Sequence, residues 1–294
     1  MPRLPPWIRL RMNAESDFGK VHGLVGDLGL HTVCKSAKCP NIHECWGHGT
    51  ATLMLLGNEC TRACRFCAIP AGRPKQLDTD EPRRVAEAAK RMKLKHAVLT
   101  SVARDDLPDG GSGIFAETIR ALRRELPDVS VEVLTPDFQG DEESLAAVLD
   151  AAPDVFNHNL ETVKRLQAAI RPQASYGRSL AVLRAAASWH TPPAVKSGLM
   201  VGLGETDEEL LEAIRDLYEA GVRLLTIGQY LQPTRAHRPV ARFVPPETFA
   251  HYEAEARAIG FFGIASGPMV RSSYKAEELL RAAREVREAV QAAS

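Results

Sequence analysis

The chain has 294 residues, 45% of them hydrophobic, and 37 Lys plus Arg balance 37 Asp plus Glu for a formal net charge of zero. That length holds one large domain or two small ones, and the even charge argues against a general nucleic-acid binder, which carries a basic excess. No apolar run is long enough to cross a bilayer, and residues 1–11 lack an apolar core with a cleavage site. A cytoplasmic protein without a membrane partner is therefore expected.

Residues 1–50 precede any regular pattern. Within them Cys34, Cys39 and Cys45 have the spacing C-x4-C-x5-C. Three thiolates fall one short of the four that usually hold an iron–sulfur cluster. A zinc site completed by His43 or His48 is the alternative reading, since imidazole is a good zinc ligand.

A short apolar run at 52–56 reads as the first strand, and directly after it come Cys60, Cys64 and Cys67, spaced C-x3-C-x2-C. Three thiolates on one tight loop can bind three corners of a cubic cluster and leave the fourth iron open to a small molecule. Zinc fits less well here, because a structural site takes four ligands and the next histidine is His96. All six cysteines lie between Cys34 and Cys67. A disulfide scaffold, by contrast, is a short secreted chain with cysteines along its length.

From there short β-like runs alternate with helical patterns. Strands are expected at 96–101, 130–134, 155–159, 197–201 and 224–230, and helices at 82–92, 114–124, 142–149, 179–187 and 207–220. Asp207, Glu208 and Glu209 favour a helix start, and Gly221 a helix stop. Six strand–helix units in series imply an α/β protein with a parallel sheet, curled by right-handed crossovers into a barrel or an open barrel. The chain then divides into an N-terminal extension at 1–50, a barrel at 51–250 and a C-terminal extension at 251–294. Chemistry in such folds sits at the C-terminal strand ends. Polar clusters fall there: Thr100 to Asp106, Asn157 to Asn159, and Gln229 to Thr234.

The Cys60–Cys67 loop, with Phe66 before its last cysteine, resembles the signature of the radical S-adenosylmethionine superfamily. The chain as a whole resembles the lipoyl synthase family. The shared features are both cysteine sets, Gly49 to Thr52, Thr100 to Gly111, Phe156 to Val163, Lys196 to Thr206, Gln229 to Thr234, and the tail Gly267 to Tyr274. It departs where the family often has an acid, near Ala103 or at Ala68. Neither position is a cluster ligand.

The resemblance implies a partial (β/α)6 barrel, two [4Fe–4S] clusters and S-adenosylmethionine as cofactors. It implies a sulfurtransferase that inserts two sulfur atoms, at C6 and C8, into an octanoyl chain on a carrier lysine, the auxiliary cluster being consumed as the sulfur source. Cys60, Cys64 and Cys67 would hold the radical-generating cluster. Cys34, Cys39 and Cys45 would hold the auxiliary one, with Ser273 as an oxygen ligand and Ser272 as the alternative. Phe66, Ser101, Asn157 and Gln229 become candidates for holding S-adenosylmethionine, and Arg271 and Lys196 for carrying charge nearby. The implied partners are octanoylated lipoyl domains of 2-oxoacid dehydrogenase E2 subunits and the glycine cleavage H protein. A ferredoxin- or flavodoxin-type reductant and an iron–sulfur carrier for cluster repair complete the set. Rival readings are another radical sulfur-inserting enzyme, a zinc-stabilised binding module and a two-cluster electron carrier.

Overall fold

The computed structural model describes residues 4–8, 17–36, 39, 41–43, 52–74 and 76–292. Contacts divide the chain into two compact units, one of Arg9–Ala63 with Cys67–Pro153, the other of Met1–Ile8, Cys64–Phe66 and Asp154–Ser294.

In the first unit, α1 (Asp17–Asp27) leads into β1 (His31–Thr32) and the single turn α2 (Val33–Ser36). β1 pairs antiparallel with β2 (Thr52–Leu55), His31 opposite Met54. β2 pairs parallel with β3 (His96–Ser101), and β3 with β4 (Ser130–Leu134). All four residues of β2 are buried, as expected of a parallel strand covered on both faces. Helices α3 (Glu81–Arg91), α4 (Ser112–Glu125) and α5 (Glu142–Asp150) follow the strands, α3 packing on α4 and α4 on α5. α3 has proline in its first turn, where a missing N–H does no harm. α5 starts at Asp141, whose carboxylate accepts the Ser144 N–H at 2.7 Å.

In the second unit, β5 (Val155–Asn157), β6 (Ala194–Val201), β7 (Leu224–Gln229) and β8 (Gly263–Gly267) pair parallel in chain order. Between and after them run α6 (Gln167–Ile170), α7 (Tyr176–Ala187), α8 (Asp207–Glu219), α9 (Pro246–Ile259) and α10 (Ala276–Ala292). α8 carries a complete capping box: Thr206 Oγ1 accepts the Glu209 N–H at 3.2 Å, and Glu209 Oε2 accepts the Thr206 N–H at 2.9 Å. Leu280 and Ala283 of α10 pack on Val155 and Leu224, covering β5 and β7.

The α/β class expected from the sequence is observed, and six strands lie where the pattern put them. Two more were not foreseen. β1 has only two residues, too few for any periodicity. β8 reads Gly-Ile-Ala-Ser-Gly and lacks the bulky β-branched run that marks a strand. β6 begins three residues before its expected start, because Lys196, wholly buried, interrupts the apolar run there. The segment 251–294 contains the end of α9, β8 and α10.

Candidate functional site

β2 ends in a turn that few side chains tolerate. Leu56 has φ 68 and Gly57 φ 89, and a left-handed leucine is an outlier that its surroundings must enforce. Glu81, the first residue of α3, does so: its buried carboxylate accepts the Leu56 N–H at 2.7 Å. Burial pushes the Glu81 carboxyl above the usual range, while the backbone N–H groups of Leu56 and Gly57 pull it back.

The cysteine loop follows three residues later. The Cys60 N–H donates to Pro70 O at 2.9 Å, and the Gly72 N–H to Cys60 O at 2.8 Å. The Cys60 sulfur accepts two backbone N–H groups, from Arg62 at 3.4 Å and from Ala103 at 3.3 Å. Thr61 donates to Ala103 O twice, through its N–H and its hydroxyl, both at 3.0 Å. Its Oγ1 in turn accepts the Asp105 N–H at 3.0 Å. The tripeptide Cys60–Thr61–Arg62 is thus zipped to the segment just past β3.

Arg62 completes the attachment. Its guanidinium donates to both oxygens of Asp105 at 2.7 Å and to Asp137 Oδ1 at 2.6 Å. The Arg62 side chain is 5% exposed, Asp137 0% and Asp105 27%. Burial works against the guanidinium's charge, but its hydrogen bonds to Asp105 and Asp137 outweigh that and raise the pKa. Asp137 also accepts the Gln139 N–H at 3.1 Å, which fixes its orientation after β4. Nothing in the sequence pattern pointed to Arg62. The available signal was an arginine inside the cysteine loop with acids at two successive strand ends.

Cys64, Arg65 and Phe66 belong to the second unit. The Arg65 N–H donates to Ile170 O at 2.9 Å, and Arg65 O accepts the Arg238 N–H at 3.0 Å. Cys64, Phe66 and Cys67 are half-buried.

Ser101 ends β3, and its buried hydroxyl has no hydrogen-bond partner among the described residues. Asn157 ends β5, wholly buried opposite Lys196. Gln229 ends β7 with its amide fully engaged: Nε2 donates to the carbonyls of Val201, Tyr230 and Arg242, and Oε1 accepts the Val244 N–H at 2.8 Å. Past β5, Asn159 Nδ2 donates to Ser272 Oγ at 2.6 Å and to Glu161 Oε1 at 3.1 Å. Arg171 Nη1 donates to the carbonyls of Asn159 and Leu160 at 3.1 and 3.2 Å. Burial raises the Glu161 carboxyl's pKa, opposed by Arg171 and Asn159. The tail carrying Arg271, Ser272 and Ser273 lies against β7 at Gly228. A Cβ on Gly228 would meet the Val270 carbonyl oxygen at 2.2 Å, so only glycine allows that approach.

Of the second cysteine set, Cys34 is buried on α2, and Cys39 is half-buried with its N–H on Cys34 O at 3.0 Å. Cys45 and His48 lie outside the described residues. No disulfide joins the described cysteines Cys34, Cys39, Cys60, Cys64 and Cys67. Among the described residues no three Cys, His, Asp or Glu side chains converge as on a single metal ion. A cubic cluster places a different demand, because each thiolate binds its own iron at a separate corner. Unbridged thiols spaced along a half-buried loop, one already accepting two N–H donors, fit such a cluster. No helix of the described residues is long and apolar enough to cross a membrane.

Comparison with known proteins adds to this geometry. Residues 54–217 match the model of the radical SAM superfamily. A lipoyl synthase of Rubrobacter xylanophilus is 55% identical over 280 residues, 95% of this chain and 87% of that protein. Lipoyl synthases of Thiobacillus denitrificans and Thermus thermophilus are each 54% identical, over 96% and 94% of this chain and 91% and 86% of theirs. Among solved structures, Streptococcus suis SuiB bound to S-adenosylmethionine aligns over 76% of this chain and 53% of its own, with TM-score 0.56 and 10% identity. Methylornithine synthase (PylB) aligns over 79% and 68%, with TM-score 0.51 and 14% identity. At those identities the likeness is one of fold.

Proposed function

The chain belongs to the lipoyl synthase family of radical S-adenosylmethionine enzymes, and from that membership we infer how its own residues divide the work. The protein is a sulfurtransferase that inserts two sulfur atoms, at C6 and C8, into a protein-bound octanoyl chain, using S-adenosylmethionine and two [4Fe–4S] clusters. When bound, one cluster supplies the electron that splits S-adenosylmethionine and the other supplies the inserted sulfur.

Cys60, Cys64 and Cys67 would hold the first cluster, to which S-adenosylmethionine would bind. Cys34, Cys39 and Cys45 would hold the second, with Ser273 as its oxygen ligand. A hydroxyl oxygen is a harder ligand than a thiolate and suits a site whose iron must leave. The buried hydroxyl of Ser101, without a hydrogen-bond partner among the described residues, makes it the strongest of the candidate S-adenosylmethionine contacts; Asn157 and Phe66 are the other candidates. Gln229, its amide engaged by backbone, acts by holding Tyr230, Arg242 and Val244 in place. The carriers are octanoylated lipoyl domains and the glycine cleavage H protein, in the cytoplasm. A ferredoxin or flavodoxin serves as electron donor, and an iron–sulfur carrier restores the consumed cluster.

The observation that carries this reading is a likeness to a lipoyl synthase over 95% of the chain, in a sequence that has both three-cysteine sets and the Arg271–Tyr274 tail. The test is anaerobic reconstitution with iron and sulfide, then incubation with S-adenosylmethionine, a reductant and an octanoyl-lysine peptide. A peptide that gains two sulfurs, with 5′-deoxyadenosine formed alongside, is the expected result. Deoxyadenosine without sulfur transfer points to another radical enzyme.

A further inference from the structure

The three cysteines of the Cys60–Cys67 loop do not have equal surroundings. Two N–H donors point at the Cys60 sulfur, and the segment presenting them is held by a buried charge cluster 43 and 75 positions further along the chain. Burying an arginine beside two aspartates carries a desolvation penalty that local loop formation does not require. Thr61 alone already ties the loop to Ala103. What the guanidinium adds is orientation: its fork locks onto both Asp105 oxygens, and Asp105 is two residues past Ala103, the second N–H donor.

We propose that Arg62 is a positioning residue for electron acceptance: clamped by Asp105 and Asp137, it keeps the Arg62 and Ala103 N–H groups aimed at the Cys60 sulfur. It rests on the reading of Cys60 as a cluster ligand. Those two donors stabilise the negative charge that arrives when a ferredoxin- or flavodoxin-type donor gives up one electron, and hydrogen bonds to ligand sulfurs are an established means of setting cluster potentials. Arginine is needed rather than lysine because a point charge cannot satisfy two oxygens of one carboxylate and a third of another in fixed planes.

The test uses the full reconstituted chain and the variants Arg62→Lys and Asp105→Asn. Three quantities are read: iron content, the melting temperature of the iron-free protein, and the reduced fraction of the S-adenosylmethionine-responsive cluster by electron paramagnetic resonance at a fixed donor potential. Arg62→Lys loads iron normally while its reduced fraction falls about fivefold, the loss of roughly one hydrogen bond's worth of stabilisation. Asp105→Asn, which keeps Arg62 and its Asp137 contact, falls by less. Loaded variants that reduce like the parent overturn the proposal, even if the iron-free protein melts earlier, since that is a structural role alone. If Arg62→Lys fails to fold, Asp105→Asn decides by the same criterion. A parent whose clusters do not respond to S-adenosylmethionine overturns the ligand assignment and the proposal together; a responsive parent with unchanged variants overturns the proposal alone.

Discussion

The two cysteine sets have the same number of thiolates and very different settings. Around Cys60 the attachments reach far along the chain, to Ala103, Asp105 and Asp137, through charges and a zipped backbone. Around Cys34 and Cys39 the backbone bonds seen among the described residues include ones to near neighbours: Cys39 to Cys34 at 3.0 Å, Ile42 to Cys39 at 3.4 Å, and Lys35 to Thr32 Oγ1 at 3.3 Å. The contrast suits the two tasks proposed for the sets. A cluster that must accept an electron on every turnover gains from donors held rigid by distant parts of the fold. A cluster that is dismantled for its sulfur gains nothing from such rigidity. Spacing sets the number of donors; the surroundings decide how firmly they are held.

The sharpest way to break that contrast is to remove one ligand from each set. Cys60→Ala should abolish 5′-deoxyadenosine formation, a fall of at least about a hundredfold, since the loss removes transition-state stabilisation outright. Cys34→Ala should still form deoxyadenosine while the octanoyl peptide gains no sulfur. Deoxyadenosine and peptide mass, followed in the same reaction, separate the two; equal loss of both products in both variants would erase the division of labour.

The next effect is on stability. Asp137→Asn leaves the buried Arg62 with a weakened partner, and breaking a buried pair typically costs about 3 kcal/mol. Urea unfolding of the iron-free protein should show that loss, whereas Ser272→Ala, which gives up one hydrogen bond with Asn159, should lose only about 1 kcal/mol. Ser273→Ala should lose sulfur insertion. If Ser272→Ala loses insertion and Ser273→Ala keeps it, the serine assignment is reversed.

The smallest effect concerns Glu81 and depends on pH. Its folded pKa is raised chiefly by burial, so its contribution to stability is fully present below the ordinary glutamate pKa and declines as pH rises through the raised value. Glu81→Gln has no such charge to bury. The difference in melting temperature between parent and variant should therefore shift in favour of Glu81→Gln as pH rises above the ordinary glutamate range. A difference that is flat with pH would mean that the carboxylate at the Leu56 turn titrates as it does in the unfolded chain.

Much of this was legible in the sequence. The cysteine spacings and the alternation of strand and helix are local patterns, and the strands at 96–101 and 130–134 fell where periodicity put them. β8 was missed because its glycines and small residues are chosen for close packing, not for strand propensity. The Arg62 network was missed because its members are separated by 43 and 75 residues and only the fold brings them together. Ser273 is proposed through family likeness alone; a Ser-Ser pair before a tyrosine otherwise reads as a solvated turn.

Gly228 shows how a position without a side chain can act at a distance. The tail that bears Ser273 rests on the β7 backbone there, with the Val270 carbonyl where a Cβ would be. The absent carbon acts as a spacer of zero thickness, and filling it by Gly228→Ala would force the Val270 carbonyl away from β7. A survey that ranks residues by the chemistry of their side chains would pass over Gly228, although the seating of Val270 and Arg271 depends on it. In this part of the molecule, tolerance to substitution should follow backbone clearance more closely than it follows functional groups.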